Sequence, residues 1–427
     1  MSQTKSYEMK DSCVEWIGDI PCEWSTANIG SLYTQRNEKV SDKDYAPLSV
    51  TKQGVLPQLE TVAKTDNGDN RKLVRTGDFA INSRSDRRGS CGISQLDGSV
   101  SLINTVLKPR DKMHPVYYNW LFHTEQFADE FYKWGYGIVD DLWSTHWSEM
   151  KKIMVIYPPL AEQEAIASYL DEKCGAIDSL IAEAKETIEE YKAWKASVIF
   201  EAVTKGLDPN ADMKDSGVAW IGNIPKGWRI SKLKYLLSSP LQYGANSSGV
   251  EFDQNKPRYI RITDITNDNH LCEENLLSLD IEEARDYILK DNDILLARSG
   301  ATAGKSFLYK SQYGRAAFAG YLIRASLDTM IANPKFVYYT TLGAGYEQWK
   351  DSIAIQATIS NIGANRYNNY FLPVPPLAEQ EAIADYLDKH CSAIDGIIAE
   401  KQSLIDELET YKKSLIYETV TGKRRVC

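Results

Sequence analysis

The sequence predicts an α+β protein in which two mixed α/β domains alternate with two long helices. Three observations carry this. Residues 158–204 recur at 375–421 with a constant offset of 217, no gap, and 28 of the 47 positions identical. A shorter echo, MKDSCVEWIGDIPCEW from Met9, returns as MKDSGVAWIGNIPKGW from Met213, at an offset of 204. Between these repeats, short β-branched and aromatic runs alternate with helix-like ones. The chain is therefore a tandem of two half-proteins, each a globular stretch followed by a helical one. A duplicated chain makes two similar contacts, so its ligand is expected to have two similar parts.

The first domain takes residues 1–157. Strand-like runs lie at 45–50, 78–82 and 152–157, and a helix-like run at 116–132. The second domain, 206–374, has strand-like runs at 259–265, 293–297 and 321–325 and a helix-like run at 333–342. The two domains share an order of landmarks. Each has a tryptophan near its start, a strand leading into Arg-Ser (Arg84-Ser85 and Arg298-Ser299), a Tyr-Tyr helix (Tyr117-Tyr118 and Tyr338-Tyr339) and a last strand running into Pro-Pro-Leu. The W-I-G-x-I-P-x-x-W motif (Trp16 to Trp24, Trp220 to Trp228) reads as packing that pins a chain turn where each domain meets a helix.

The segments 158–205 and 375–427 each read as one long helix, the second with a short basic tail. Pro158-Pro159 and Pro375-Pro376 tolerate a first helical turn but block extension backwards. Ile177, Ile181, Ala184, Ile188, Tyr191, Lys195, Val198 and Ala202 step by alternating fours and threes, as do their counterparts from Ile394 to Thr419. Gly206 and Pro209 stop the first helix. Some 45 residues at about 1.5 Å each make a rod of roughly 65 to 70 Å. A narrow apolar seam of that length needs a partner, and the other copy is the simplest one. The spacing leaves parallel and antiparallel pairing open; antiparallel pairing would relate the halves by a pseudo-two-fold axis.

Composition sets the class. With 427 residues, 43% hydrophobic and 25% charged, the chain is an ordinary folded protein of two or three domains. It shows no membrane-length apolar run and no secretory h-region. Seven scattered cysteines without a C-x-x-C suit reduced thiols, so a cytoplasmic location is expected. The net charge of −10 looks hostile to nucleic acid until it is located. The helical segments carry five basic against ten acidic groups (158–205) and seven against ten (375–427), whereas 206–374 is balanced. The globular domains are nearly neutral, so DNA is not excluded from them.

Two divergent globular halves, each followed by a near-identical helix opening P-P-L-A-E-Q-E-A-I-A (Pro158 onward and Pro375 onward), resemble the specificity subunit of Type I restriction-modification systems. The resemblance covers nearly all of residues 9–422. It implies two target recognition domains, each reading one half of a bipartite, asymmetric site on double-stranded DNA. It implies that the helices are spacers packed antiparallel, a ruler for the unread gap and a dock for two methyltransferase subunits, with nuclease-translocase subunits completing the enzyme. S-adenosylmethionine, ATP and Mg2+ would then belong to those partners, with no cofactor in this chain and no membrane involved.

Candidate DNA-binding residues follow from side-chain chemistry. In the first domain they are Lys52, the cluster Arg84, Ser85, Arg87 and Arg88, and His146; Arg71, Lys72 and Arg75 are weaker. Arginine forks onto guanine O6 and N7, and cations on loops neutralise phosphates. In the second domain they are Arg258, Arg261, Arg298, Ser299, Thr302, Lys305, Gln356, Thr358, Asn361 and Arg366. Arg298-Ser-Gly-Ala-Thr-Ala-Gly-Lys-Ser306 imitates a phosphate loop, but three residues separate Gly300 from Gly304 where that loop needs four. The Pro-Pro pairs follow Tyr157 and Val374, so the [DN]-P-P-[YF] motif of amino-methyltransferases is missing, and the five histidines show no paired spacing. A non-catalytic chain is expected. The alternatives are a self-contained DNA methyltransferase or nuclease, and a structural coiled-coil adaptor without DNA contact.

Overall fold

The structure, a computed structural model, describes residues 8–58, 68–137, 143–266, 270–300, 302–354 and 361–426. The chain forms two compact units, Met1–Lys185 with Ser403–Cys427, and Glu186–Gln402. The units cut across the linear order of domains and helices. The central helix, Leu160–Lys205, gives its first half to the first unit, and the C-terminal helix, Leu377–Val420, gives its first half to the second.

In the first unit, an antiparallel sheet runs in the order Cys91–Ile93, Phe79–Asn82, Asn104–Pro109, Tyr33–Arg36. The helix expected over 116–132 is two helices, Pro115–Phe122 and Glu125–Lys133. Thr124 makes the break: its Oγ1 accepts from the Phe127 N–H at 3.2 Å, an N-cap that hydrophobic periodicity does not register. Tyr33, Phe79, Tyr118 and Phe122 stack ring on ring between sheet and helix. The last strand, Met154–Tyr157, pairs back onto Ser25–Asn28, so the domain closes where it opened.

The second unit repeats this sheet as Ser306–Leu308, Ile294–Ala297, Leu322–Ala325, Gln242–Tyr243. Its own addition is a parallel pairing of Arg258–Ile260 with Ala316–Phe318. The strand expected over 259–265 stops there, because Asp264 Oδ2 accepts from the Arg261 N–H at 2.8 Å and closes a 3-10 turn. Phe371–Val374 closes the domain on Arg229–Lys232.

Hydrogen bonds fix which residues correspond. Ser83 N–H donates to Ile103 O (3.2 Å) and Arg298 N–H to Tyr321 O (3.0 Å); their carbonyls accept from Thr145 N–H (2.9 Å) and Ile362 N–H (2.7 Å). Arg298 therefore corresponds to Ser83, and Ser299 to Arg84, which bridge to Asn361 and Ser144 respectively. Matching the two Arg-Ser pairs by sequence slips the register by one residue, and in a strand such a slip exchanges its two faces. The Tyr-Tyr pairs are also out of register. His114 and Asn333 cap the corresponding helices, which puts Tyr117-Tyr118 opposite Phe336-Val337.

The repeated motifs form a clamp. Trp24 is buried and its indole N–H donates to Glu162 Oε2 at 2.9 Å; Trp228 does the same to Glu379 at 3.0 Å. The next residue finishes the joint. Gln163 Oε1 accepts from the His114 N–H and its Nε2 donates to Pro158 O, both at 2.8 Å. Gln380 repeats this with Asn333 (2.8 Å) and Pro375 O (2.9 Å). The Glu-Gln of P-P-L-A-E-Q thus ties a helix start to the tryptophan motif and to the first turn of a domain helix, satisfying an otherwise orphan N–H. The expected packing role of the tryptophans holds.

Within each unit the two helix halves run antiparallel. In the first, Asp178 meets Lys412 (2.6 Å) and Lys185 approaches Glu409 (3.9 Å). In the second, Lys195 meets Asp395 (2.6 Å) while Gly206, farther along, lies against Glu379. Ile177, Ile181, Ala184, Ile188, Ile394, Ile405 and Leu415 are buried along the seam.

Candidate nucleic-acid interface

In the first unit, core strand Phe79–Asn82 runs directly into the arginine cluster. Ser85–Arg87 is a 3-10 turn, held by Ser85 N–H to Trp143 O (3.1 Å) and Ser90 N–H to Arg87 O (3.0 Å). Gly89 closes it at φ +76°, a left-handed conformation that glycine adopts without strain. Arg84 and Arg87 both face Asp86 (3.7 and 3.6 Å), and Arg88 pairs with Asp129. Lys52, on the turn of the Leu48–Thr51/Gly54–Pro57 hairpin, joins Arg88 at a cavity of about 570 Å3. His123, Thr124, Lys413 and Tyr417 also line it. Burial pushes the His123 imidazole pKa down, and the Lys413 ammonium at 3.0 Å holds the Glu125 carboxyl below its usual range. His146 is exposed, stacked 5.1 Å from Tyr136, whose backbone pairs with Ser144 beside Arg84.

The structure thus gathers Arg84, Ser85, Arg87 and His146 on one edge, and sets Lys52 and Arg88 together at the adjoining cavity. Tyr136 completes that edge and escaped the sequence reading, since a lone tyrosine has no periodic signal. The weaker candidates are committed to the fold. Arg71 is buried against Ser99, Lys72 Nζ donates to Asn104 O (2.6 Å), and Arg75 pairs with Asp97 (2.7 Å).

In the second unit, Arg298 leaves the matching core strand and lies with its guanidinium carbon 5.0 Å over the Tyr243 ring. Ser299 and Asn361 bridge beside it, and Arg366 reaches Asn361 O at 3.4 Å. Tyr243 and the 62% exposed Tyr321 belong to the same face and were not singled out from sequence. The glycine-rich turn is locked in place. Lys305 Nζ donates to Ile265 O (3.0 Å) and Tyr346 Oη to Gly304 O (2.8 Å). Thr302 O accepts from the Lys305 N–H (3.0 Å), and the turn leads into strand Ser306–Leu308. A phosphate loop needs a helix there, so nucleotide chemistry has no seat in this turn.

Two further candidates have internal partners. Arg258 is 8% exposed and bonds Cys272 O and Glu273, while Arg261 forks onto Asp264 and reaches Asn275 O. Gln356 and Thr358 lie outside the described residues. Among the described residues, no cluster of three or more His, Cys, Asp or Glu could hold a metal ion, and no helix is long and apolar enough to cross a membrane.

Residues 225–409 match the Type I restriction modification DNA specificity domain. That part of the chain is thus similar to the DNA specificity domain, and curated relatives that match the chain are specificity subunits of Type I restriction enzymes. It is 26% identical over 282 residues to the MjaVIII specificity subunit of Methanocaldococcus jannaschii, covering 65% of this chain and 63% of that protein. It is 24% identical over 276 residues to the StySPI specificity subunit of Salmonella potsdam, covering 64% and 58%. The matches thus span about three fifths of the length of these curated relatives. In fold, a solved chain from work on complex assembly and conformational transition of the type I R-M system superposes with a TM-score of 0.71 at 15% identity. That similarity covers 95% of this chain and 99% of the other, so the likeness in fold extends over both units.

Proposed function

We propose that the chain is the non-catalytic DNA-reading subunit of a Type I restriction-modification enzyme, each unit reading one half of a bipartite, asymmetric site in double-stranded DNA. One observation carries the reading. The two units share a sheet order and a Trp–Glu–Gln clamp, yet at the end of the same core strand one buries Ser83 and leads into the Arg84 cluster, while the other carries Arg298 over Tyr243. A frame kept in duplicate with its exposed edge changed is what two different half-sites require. In the first unit the reading edge is Arg84, Ser85, Arg87, Arg88, His146 and Lys52. In the second it is Arg298, Ser299, Thr302, Asn361 and Arg366, with Lys305 positioning the turn.

The paired helices, which carry most of the negative charge, set the unread gap and dock two methyltransferase subunits, with nuclease-translocase subunits completing the assembly in the cytoplasm. S-adenosylmethionine, ATP and Mg2+ serve those partners. Single-molecule methylome sequencing of cells carrying the chain with its methyltransferase tests this. One bipartite motif is expected, and exchanging residues 206–374 for a divergent homologous domain should change one half of it. Methylation by the purified chain alone with S-adenosylmethionine would refute the non-catalytic assignment.

A further inference from the structure

We infer that Arg298 reads a guanine through the major groove in the half-site met by the second unit. This rests on the DNA-reading role proposed above and adds the residue and the base.

The backbone of Arg298 is held on both sides, by its N–H on Tyr321 O and by Ile362 N–H on its carbonyl. Its guanidinium carbon lies 5.0 Å over the Tyr243 ring, and that ring is anchored in turn, because Tyr243 Oη accepts from the Ala364 N–H at 3.0 Å. The Arg298 Nε is buried and has no hydrogen-bond partner. Among the described residues the side chain forms no hydrogen bond or ion pair, whereas Arg258, Arg261, Lys305 and Arg366 all have internal partners. Stacking is all that holds it.

Those facts select a ligand. With Nε buried, a ligand meets the two terminal nitrogens of a guanidinium held against the tyrosine ring. Two coplanar N–H donors match guanine O6 and N7, and a fork ordered beforehand loses little conformational entropy on engaging them. A phosphate can also take the arginine fork, but phosphates run along both half-sites alike, whereas this fork is present in one unit only. The corresponding position of the first unit has no such fork: Ser83 is buried, its Oγ 3.1 Å from Thr105 Oγ1. This guanine contact therefore belongs to one half-site only.

The test is the methylated motif of cells carrying the methyltransferase with the natural chain, Arg298→Ala, Arg298→Lys or Tyr243→Ala. The natural motif should hold a G·C pair at one position in the half that follows residues 206–374. Both Arg298 variants should lose preference there by about tenfold to a hundredfold, the value of one bidentate pair, and leave the other half intact. Tyr243→Ala should blur the same position. Arg298→Lys keeps the charge and bulk, so it reports even if the alanine variant folds poorly. A motif unchanged in all variants overturns the assignment. Uniformly weaker methylation in Arg298→Ala that Arg298→Lys restores marks a phosphate contact and overturns it too. If the natural chain yields no motif at all, the DNA-reading role itself has failed.

Discussion

Lys412 Nζ lies 2.6 and 2.7 Å from the two carboxylate oxygens of Asp178, and Lys195 makes the same pair of contacts with Asp395 at 2.7 and 2.6 Å. Lys195 and Lys412 occupy one position of the 217-residue repeat, as do Asp178 and Asp395. Parallel pairing in register would set lysine against lysine on the seam. Antiparallel pairing sets each lysine against an aspartate, so the orientation that heptad spacing leaves open is decided by charge. Lys412→Asp should destabilise the first unit by about 1 kcal/mol, as expected for partly exposed pairs. Adding Asp178→Lys should restore most of the loss in urea unfolding; failure to do so would deny the pair its orienting role.

The tryptophan clamp carries more energy than the ion pairs. Trp24→Ala should cost about 3 to 5 kcal/mol, the usual range for a large aromatic removed from a core. Glu162→Gln, which keeps an acceptor for the indole N–H, should cost about 1 kcal/mol. Thermal denaturation of both variants, with Trp228→Ala as the counterpart, measures the difference. Equal losses would mean that the hydrogen bond rather than burial holds the joint.

Aromatics with part or most of the ring in solvent recur on the helices at matching positions. Tyr411 (48% exposed) corresponds to Trp194 (51%), and Tyr169, with Lys173 over its ring at 6.0 Å, corresponds to Tyr386 stacked 4.1 Å from His390. Aromatic anchors of this kind dominate protein interfaces. If the helices dock two methyltransferase subunits, Tyr386→Ala with Trp194→Ala should remove one copy from the complex. Adding Tyr169→Ala with Tyr411→Ala should remove the second. Native mass spectrometry counts the copies, and undiminished binding would place the dock elsewhere.

Acid should loosen the first unit through Asp97. Its carboxyl is held down to about 2 from an ordinary 3.8, chiefly by the Thr76 N–H and then by Arg75. The folded state thus binds this proton less readily than the unfolded one. The stabilisation is complete above about pH 4 and is lost as pH falls towards about 2. Asp97→Asn should flatten the acid limb of the stability curve in that window and leave its neutral region parallel to the natural protein.

How far the fold is legible differs between elements. The long helices are legible to within a few residues because each i, i+3, i+4 stripe lies within one segment. The helix expected over 116–132 is not, because the break depends on a single cap at Thr124, set in a run that remains apolar on either side. Matching by local identity misaligned the Arg-Ser and Tyr-Tyr pairs. The true register is written in backbone bonds to Ile103 and Tyr321 and in bonds to the side chains of Gln163 and Gln380, all distant along the chain. For the same reason the arginines could be flagged by type but not sorted. Only their partners separate Arg298 from Arg258 and Arg261.

The sequence by itself determined the duplication, the two rods, the location of the negative charge and the packing role of the tryptophans. Each of these is a property of short segments or of their repetition. The tertiary structure decided the antiparallel pairing, the division into units that share both helices, and the placing of Arg298 over Tyr243 where the other unit has Ser83. Those depend on contacts between residues far apart in the chain, which form only when packing and hydrogen bonds are satisfied together.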